Sequence, residues 1–134
     1  CPDMSEFHLS IVTPERMFFD GEAERVVVRT ISGDVGILKG HAKYISALGT
    51  GALKIRFSDG EKIAALSGGF IKADREKTLI LATTCEWKDE IDLERAKRAE
   101  EKAREMLQHA QSNAEHDLAE LKLKRAVNRI NIAE

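Results

Sequence analysis

The alternation of apolar and polar side chains divides the chain into two parts with different periods. Phe7-His8-Leu9-Ser10-Ile11 alternates strictly, as a half-buried strand does, and Pro14-Glu15 breaks it. Met17-Phe18-Phe19 predicts a short second strand ending at Asp20-Gly21. Residues 24–31, with Val26-Val27-Val28 at their centre, predict a more fully buried third. Further strands are expected at 35–38, 44–48, 52–57, 62–66, 70–73 and 78–82. The segments between them are rich in turn formers: Ser32-Gly33-Asp34, Lys39-Gly40-His41, Gly49-Thr50-Gly51, Ser58-Asp59-Gly60, Ser67-Gly68-Gly69 and Asp74-Arg75-Glu76-Lys77. Asp59-Gly60 is the strongest hairpin signal, because the pair tolerates the positive φ that tight turns demand. Turns every 8–12 residues or so, with no helical stretch between strands, predict a small antiparallel β-sandwich or barrel.

From Asp92 the period becomes that of a helix. Ala96, Ala99, Ala103, Met106 or Leu107, and Ala110 recur at spacings of three and four. Asp92 is a good N-cap, with Ile91 and Ala96 placed to staple across it. Gln111-Ser112-Asn113 interrupts the pattern, and Ser112 with Glu115 reads as a capping box opening a second helix to about Ile130. All nine glycines lie between Gly21 and Gly69, and both prolines come earlier, so the stretch from Cys85 to Ala96 is a seam between sheet and helix. The fold class is therefore α+β, with an N-terminal antiparallel β-sandwich of short strands over 4–87 and a C-terminal antiparallel two-helix hairpin over 88–134. Cys1-Pro2-Asp3 ahead of Met4 reads as a remnant outside the fold.

A net charge of −2 with 33% charged residues gives no basis for nucleic-acid binding, which usually shows a basic excess. No apolar run approaches the roughly 20 residues of a membrane span, so a membrane role has to come through a partner. Two cysteines, at positions 1 and 85, are too few for a disulfide framework and fit a reducing compartment. One Trp and one Tyr argue against a carbohydrate-binding sandwich, which needs stacking rings.

The helix faces carry the candidate chemistry. Asp92, Arg95, Ala96, Ala99, Lys102 and Ala103 share one broad face of the first helix. Ala114, Leu118 and Leu121 form a stripe on the second that Arg125 and Arg129 continue. An antiparallel hairpin brings Asp92 and Arg95 opposite Arg125 and Arg129, and this local excess of positive charge suits a polyphosphate held by bidentate guanidinium contacts. The bland alternative stands beside it: Asp92 caps the helix, and the arginines are solvated or pair with Glu90, Glu94 or another subunit. Because the stripes are mostly alanine, the hairpin gains little from its own packing, at about 25 cal/mol per Å² of buried apolar surface. It is the candidate moving part. No catalytic centre is evident. His41 lacks a nucleophile or orienting partner, Cys85 lacks metal-ligand spacing, and Gly33-Asp34-Val35-Gly36 lacks the ending of a P-loop.

These residues resemble the epsilon subunit family of the bacterial-type (F-type) ATP synthase, over about Phe7 to Ile130 and through both domains in order. The most specific segments are Ser10–Pro14, Ser32–Ala42, Leu66–Phe70 and Ile91–Ala96; Lys39 stands where the family usually has Pro. The resemblance implies a non-catalytic rotor subunit in the central stalk, bound to the gamma subunit and the c-ring, coupling proton-driven rotation to ATP synthesis in the alpha/beta catalytic head. It implies a peripheral place on the cytoplasmic side of the cell membrane, with Asp34 and His41 towards the c-ring. It also implies that the hairpin inhibits ATP hydrolysis and, in some members, folds on binding ATP. The residues so implicated are Glu86, Ile91, Asp92, Arg95, Ala96, Lys102, Arg125 and Arg129, with no required cofactor and the need for magnesium left open. Other readings are a structural coupling subunit without a working ATP site, and a free-standing nucleotide-sensing module.

Overall fold

The computed structural model describes residues 5–134; Cys1-Pro2-Asp3 lies outside the described residues. The chain divides into two compact units, the first running to Trp87 and the second from Lys88 to Glu134. The first contains β1 (Phe7–Val12), β2 (Met17–Ala23), β3 (Arg25–Thr30), β4 (Gly33–Ile37), β5 (Tyr44–Ala47), β6 (Thr50–Phe57), β7 (Gly60–Ala73) and β8 (Lys77–Trp87). The second opens with a 3-10 turn at Lys88–Glu90, followed by α1 (Leu93–Gln108) and α2 (Asn113–Ala133).

The strands hydrogen-bond in the order β2-β1-β8-β7-β6-β3-β4, with β5 on β7. Alternation does the sorting, as expected for strands covered on one face. Phe7, Leu9 and Ile11 of β1 are buried, while His8 faces out. Leu9, Ile11, Val26, Val28, Ile37, Leu53, Ile55, Leu66, Ile71 and Ile80 are the largest fully buried side chains. Each contributes on the order of 1.5–3 kcal/mol by leaving water, so this unit has an ample core of its own.

Three features depart from the sequence expectation. The second strand continues through Asp20-Gly21 to Ala23, because its outward polar residues face those of β1 and the antiparallel ladder stays intact. The segments 62–66 and 70–73 belong to one strand, β7, and Ser67-Gly68-Gly69 is not a turn between two strands. Gly68 and Gly69 take φ of 76° and 100°, bending the strand while Ser67↔Thr84 and Gly69↔Ala82 keep one register with β8. A Cβ on Gly69 would overlap the Leu81 carbonyl, so the position needs glycine twice over. Finally, β1 and β8 pair in parallel, Leu9 against Thr78 and Ile11 against Ile80. The first and last strands of the unit meet, and the strands between them supply the crossover that a parallel pair requires.

In the second unit Asp92 caps α1 as expected, its carboxylate accepting the Arg95 N–H at 3.1 Å. Ser112 caps α2 by accepting the Glu115 N–H at 3.1 Å, while Glu115 reaches back to accept the Gln111 N–H at 2.9 Å. The helices are joined by a loop of a few residues and run antiparallel. Their seam is Ala96 and Ala103 on α1 with Ala119 and Ala126 on α2. This corrects the expected stripe on α2: Leu118 and Leu121 are 49% and 37% exposed, and Ala114 is exposed too. Spaced seven apart on each helix, the small residues form the seam and turn the leucines outward.

Candidate functional site

The second unit holds a cleft of about 280 Å³ lined by Ala99, Lys102, Ala103 and Met106 of α1 and by Lys122, Arg125 and Arg129 of α2. Spacings of three and four on each helix bring these side chains onto facing surfaces. The floor is small and apolar, and the walls carry four cations and no carboxylate. Crowded like charges of one sign favour an anion between them, and the volume is just below the roughly 300–1,000 Å³ of ordinary small-molecule pockets. It suits a phosphate chain better than a whole nucleotide.

The cleft brings together Lys102, Arg125 and Arg129, all singled out from the sequence, and adds Lys122, which helical-face reasoning passed over. The signal for Lys122 was its place three residues before Arg125, one turn along the same face. Asp92 and Arg95 do not line this cleft. The Ile91–Ala96 segment instead builds the start of α1. Ile91 N–H donates to Lys88 O at 3.3 Å, Asp92 caps, and Ala96 is 3% exposed in the helix seam. Arg125 and Arg129 line the cleft together with residues 99–106 of α1, and α2 also touches the 3-10 turn at Lys88–Glu90 that precedes α1. Glu86 belongs to β8 of the first unit, where it pairs with Ala65 of β7. Its neighbour Trp87 is committed to the sandwich: it stacks on Phe18 at 4.3 Å between ring centroids and meets Phe19 edge-on at 6.3 Å.

In the first unit Asp34 pairs across the β3–β4 ladder with Arg29, whose Nε donates to its Oδ1 at 2.6 Å. That hydrogen bond raises the Arg29 guanidinium above its ordinary value. His41 follows Gly40, which turns the chain at φ 84°. The His41 Nδ1–H donates to the Ala42 carbonyl at 2.7 Å, and the ring meets Tyr44 edge-on. This is a turn-fixing histidine with no nucleophile among its recorded partners.

A second surface of the sandwich follows from the registers. Ala47 pairs with Phe70, Phe70 with Leu81, Leu81 with Val12, and Val12 with Met17. A row of apolar side chains thus crosses β5, β7, β8, β1 and β2 on the outer face, with a register shift at Val12 where it passes to β2. Phe70 is 45% and Met17 57% exposed. Such a row on water is a candidate contact surface. No described helix is long and apolar enough to cross a membrane.

Comparison with known proteins agrees with this two-part architecture. The family pattern for the ATP synthase delta/epsilon chain beta-sandwich domain matches residues 6–88, and that for the long alpha-helix domain of the same family matches residues 89–134. The ATP synthase epsilon chain of Ruminococcus albus is 44% identical over 131 residues, covering 97% of this chain and 98% of the relative. The sodium ion specific ATP synthase epsilon chain of Propionigenium modestum is 39% identical over 131 residues, covering 98% and 96%. Among solved structures, a chain of the Euglena gracilis mitochondrial ATP synthase superposes with a TM-score of 0.80 at 22% identity, over 92% of this chain and 78% of that one. With both units matched in order and near-full-length relatives at this identity, the chain belongs to the ATP synthase delta/epsilon chain family.

Proposed function

We propose that this chain is a rotor subunit in the central stalk of a proton-translocating ATP synthase, and that its hairpin restrains ATP hydrolysis until ATP holds it folded. The sandwich couples c-ring rotation to the alpha/beta catalytic head by docking on the gamma subunit and the c-ring. The Euglena complex that contains the similar chain includes F1 and the c-ring, which supports that assignment. The outer apolar row, from Ala47 to Met17, suits a permanent subunit contact, with the Asp34 and His41 region turned to the ring. The chain is held at the cytoplasmic side of the membrane by these partners and has no catalytic role of its own.

The observation that carries the regulatory part is the cleft, in which Lys102, Lys122, Arg125 and Arg129 converge over an alanine floor. Four buried residues, Ala96, Ala103, Ala119 and Ala126, hold the helices together, and each adds about a methyl group's worth, ~0.8 kcal/mol. So thin a core leaves the hairpin easily opened. A triphosphate in the cleft reverses that balance, so ATP shifts the population towards the folded hairpin by its differential affinity. Arg95 and Asp92, near the start of α1, then serve the rest of the nucleotide. The test is hydrolysis by an ATP synthase reconstituted with this chain. Inhibition is expected at low ATP and relief at high ATP, with Arg129→Ala moving the relief to higher ATP. An ATP dependence that Arg129→Ala leaves unmoved refutes the regulatory assignment and leaves the coupling role intact.

A further inference from the structure

The outward face of the β1–β2 ladder carries a cluster outside the hairpin cleft and off the apolar row. His8 of β1 sits opposite Glu22, and Ser10 opposite Asp20. The His8 Nε2 lies 2.7 Å from Asp20 Oδ1, and its Nδ1 lies 3.2 Å from Glu22 Oε2. Ser10 Oγ–H donates to the same Asp20 oxygen at 2.8 Å. Each carboxylate is an acceptor only, so both ring nitrogens must donate. Only the protonated imidazolium can do so, because the neutral ring has one donor.

We propose that His8, Asp20 and Glu22 form a proton-loaded clasp that fastens the edge strand β2 to β1, and that loss of the His8 proton loosens that edge. Among the described residues β2 ends the sheet order and has only β1 as its ladder neighbour, so the clasp acts on an edge strand. The groups facing His8 can be named element by element. From β2 come the two carboxylates. From β8 comes Lys77, its register partner, and the adjoining turn supplies the Glu76 carbonyl, which accepts the His8 N–H at 3.2 Å. On β1 itself lies Ser10. Hydrogen bonding to Asp20 raises the His8 pKa from its ordinary 6.5; desolvation opposes it, and hydrogen bonding to Glu22 adds a smaller rise. His8 therefore keeps its proton to higher pH than a free imidazole. Deprotonation leaves a nitrogen lone pair against a carboxylate and strips the charge from the remaining hydrogen bond. Met17, at the end of the apolar row, begins the strand that is loosened, so the proton also sets the order of one end of that surface.

The test is a pH titration of the whole chain by nitrogen NMR of the histidine rings, joined to amide hydrogen exchange corrected for its intrinsic pH dependence. His8 is expected to titrate above its midpoint in the urea-unfolded chain, with both ring nitrogens protonated on the acid side. Exchange of the β2 amides bonded to β1 should rise severalfold through that same midpoint, while the β6–β7 amides stay flat. His8→Gln should abolish the step, and Asp20→Asn with Glu22→Gln should bring the midpoint down. The proposal is overturned if His8 titrates at or below its unfolded midpoint, if no step accompanies its titration, or if His8→Gln shows the same step.

Discussion

Phe18 and Trp87 stack with ring centroids 4.3 Å apart, which ties the last residue of β8 to the second strand of the sheet. Phe18 is only 7% exposed, so its removal leaves a cavity under the indole. Phe18→Ala should cost about 3–5 kcal/mol of sandwich stability. Urea unfolding followed by Trp87 emission measures it, since the indole reports its own packing here. A midpoint equal to that of the unaltered chain would contradict the packing.

Two of the positive-φ glycines, Gly33 and Gly69, make a controlled comparison. A Cβ at Gly33 meets nothing within 4 Å, so Gly33→Ala should cost only the backbone conformation, about 1 kcal/mol. At Gly69 the same φ penalty adds to overlap with the Leu81 carbonyl. Gly69→Ala should therefore be the more damaging by at least ~2 kcal/mol, the range of enforced backbone strain. Thermal unfolding of the pair decides it, and equal losses would mean that β7 relaxes around the bend.

The hairpin should respond to volume at its seam and ignore volume at its exposed leucines. Ala126→Leu overpacks a site with no exposed surface and should destabilise the helical unit by about 1–3 kcal/mol. Leu118→Ala, at 49% exposure, should stay within about 0.5 kcal/mol. Hydrogen exchange of the α1 and α2 amides separates this unit from the sandwich. The opposite ranking would restore the leucine stripe as the packed face.

The sequence made that stripe hard to place. The eye follows the largest apolar residues at helical spacing, Leu118 and Leu121, yet the described seam is alanine. Strand patterning was far more legible, because Phe7, Leu9 and Ile11 alternate against polar neighbours and bury accordingly. The continuity of β7 was hidden for the reverse reason: Ser67-Gly68-Gly69 has turn composition, and only the opposing β8 keeps it in a strand. The cations of the cleft could be read from spacing, as Lys102, Arg125 and Arg129 show.

Asp74 gives a pH prediction with a fixed sign. Its carboxylate accepts the N–H groups of Glu76 at 2.9 Å and Lys77 at 3.0 Å, and these bonds lower its pKa from 3.8. A lowered folded-state pKa contributes stability above the unfolded value that disappears as pH falls through the folded value. Asp74→Asn should thus narrow the stability gap between neutral pH and pH below about 4, the ordinary carboxylate range. Denaturant midpoints across that window test it, and a variant with an unchanged acid limb would remove Asp74 from the account.

Calorimetric titration of ATP into the isolated chain decides whether the hairpin cleft seats a regulatory nucleotide. Saturable binding is expected, with Arg129→Ala and Lys122→Ala each weakening it by about tenfold or more, the loss of one charge-assisted hydrogen bond to phosphate at roughly 1.5–3 kcal/mol. Leu118→Ala, outside the cleft, should bind as the unaltered chain does. No heat of binding at millimolar ATP, or equal affinity in the Arg129 and Lys122 variants, would contradict it.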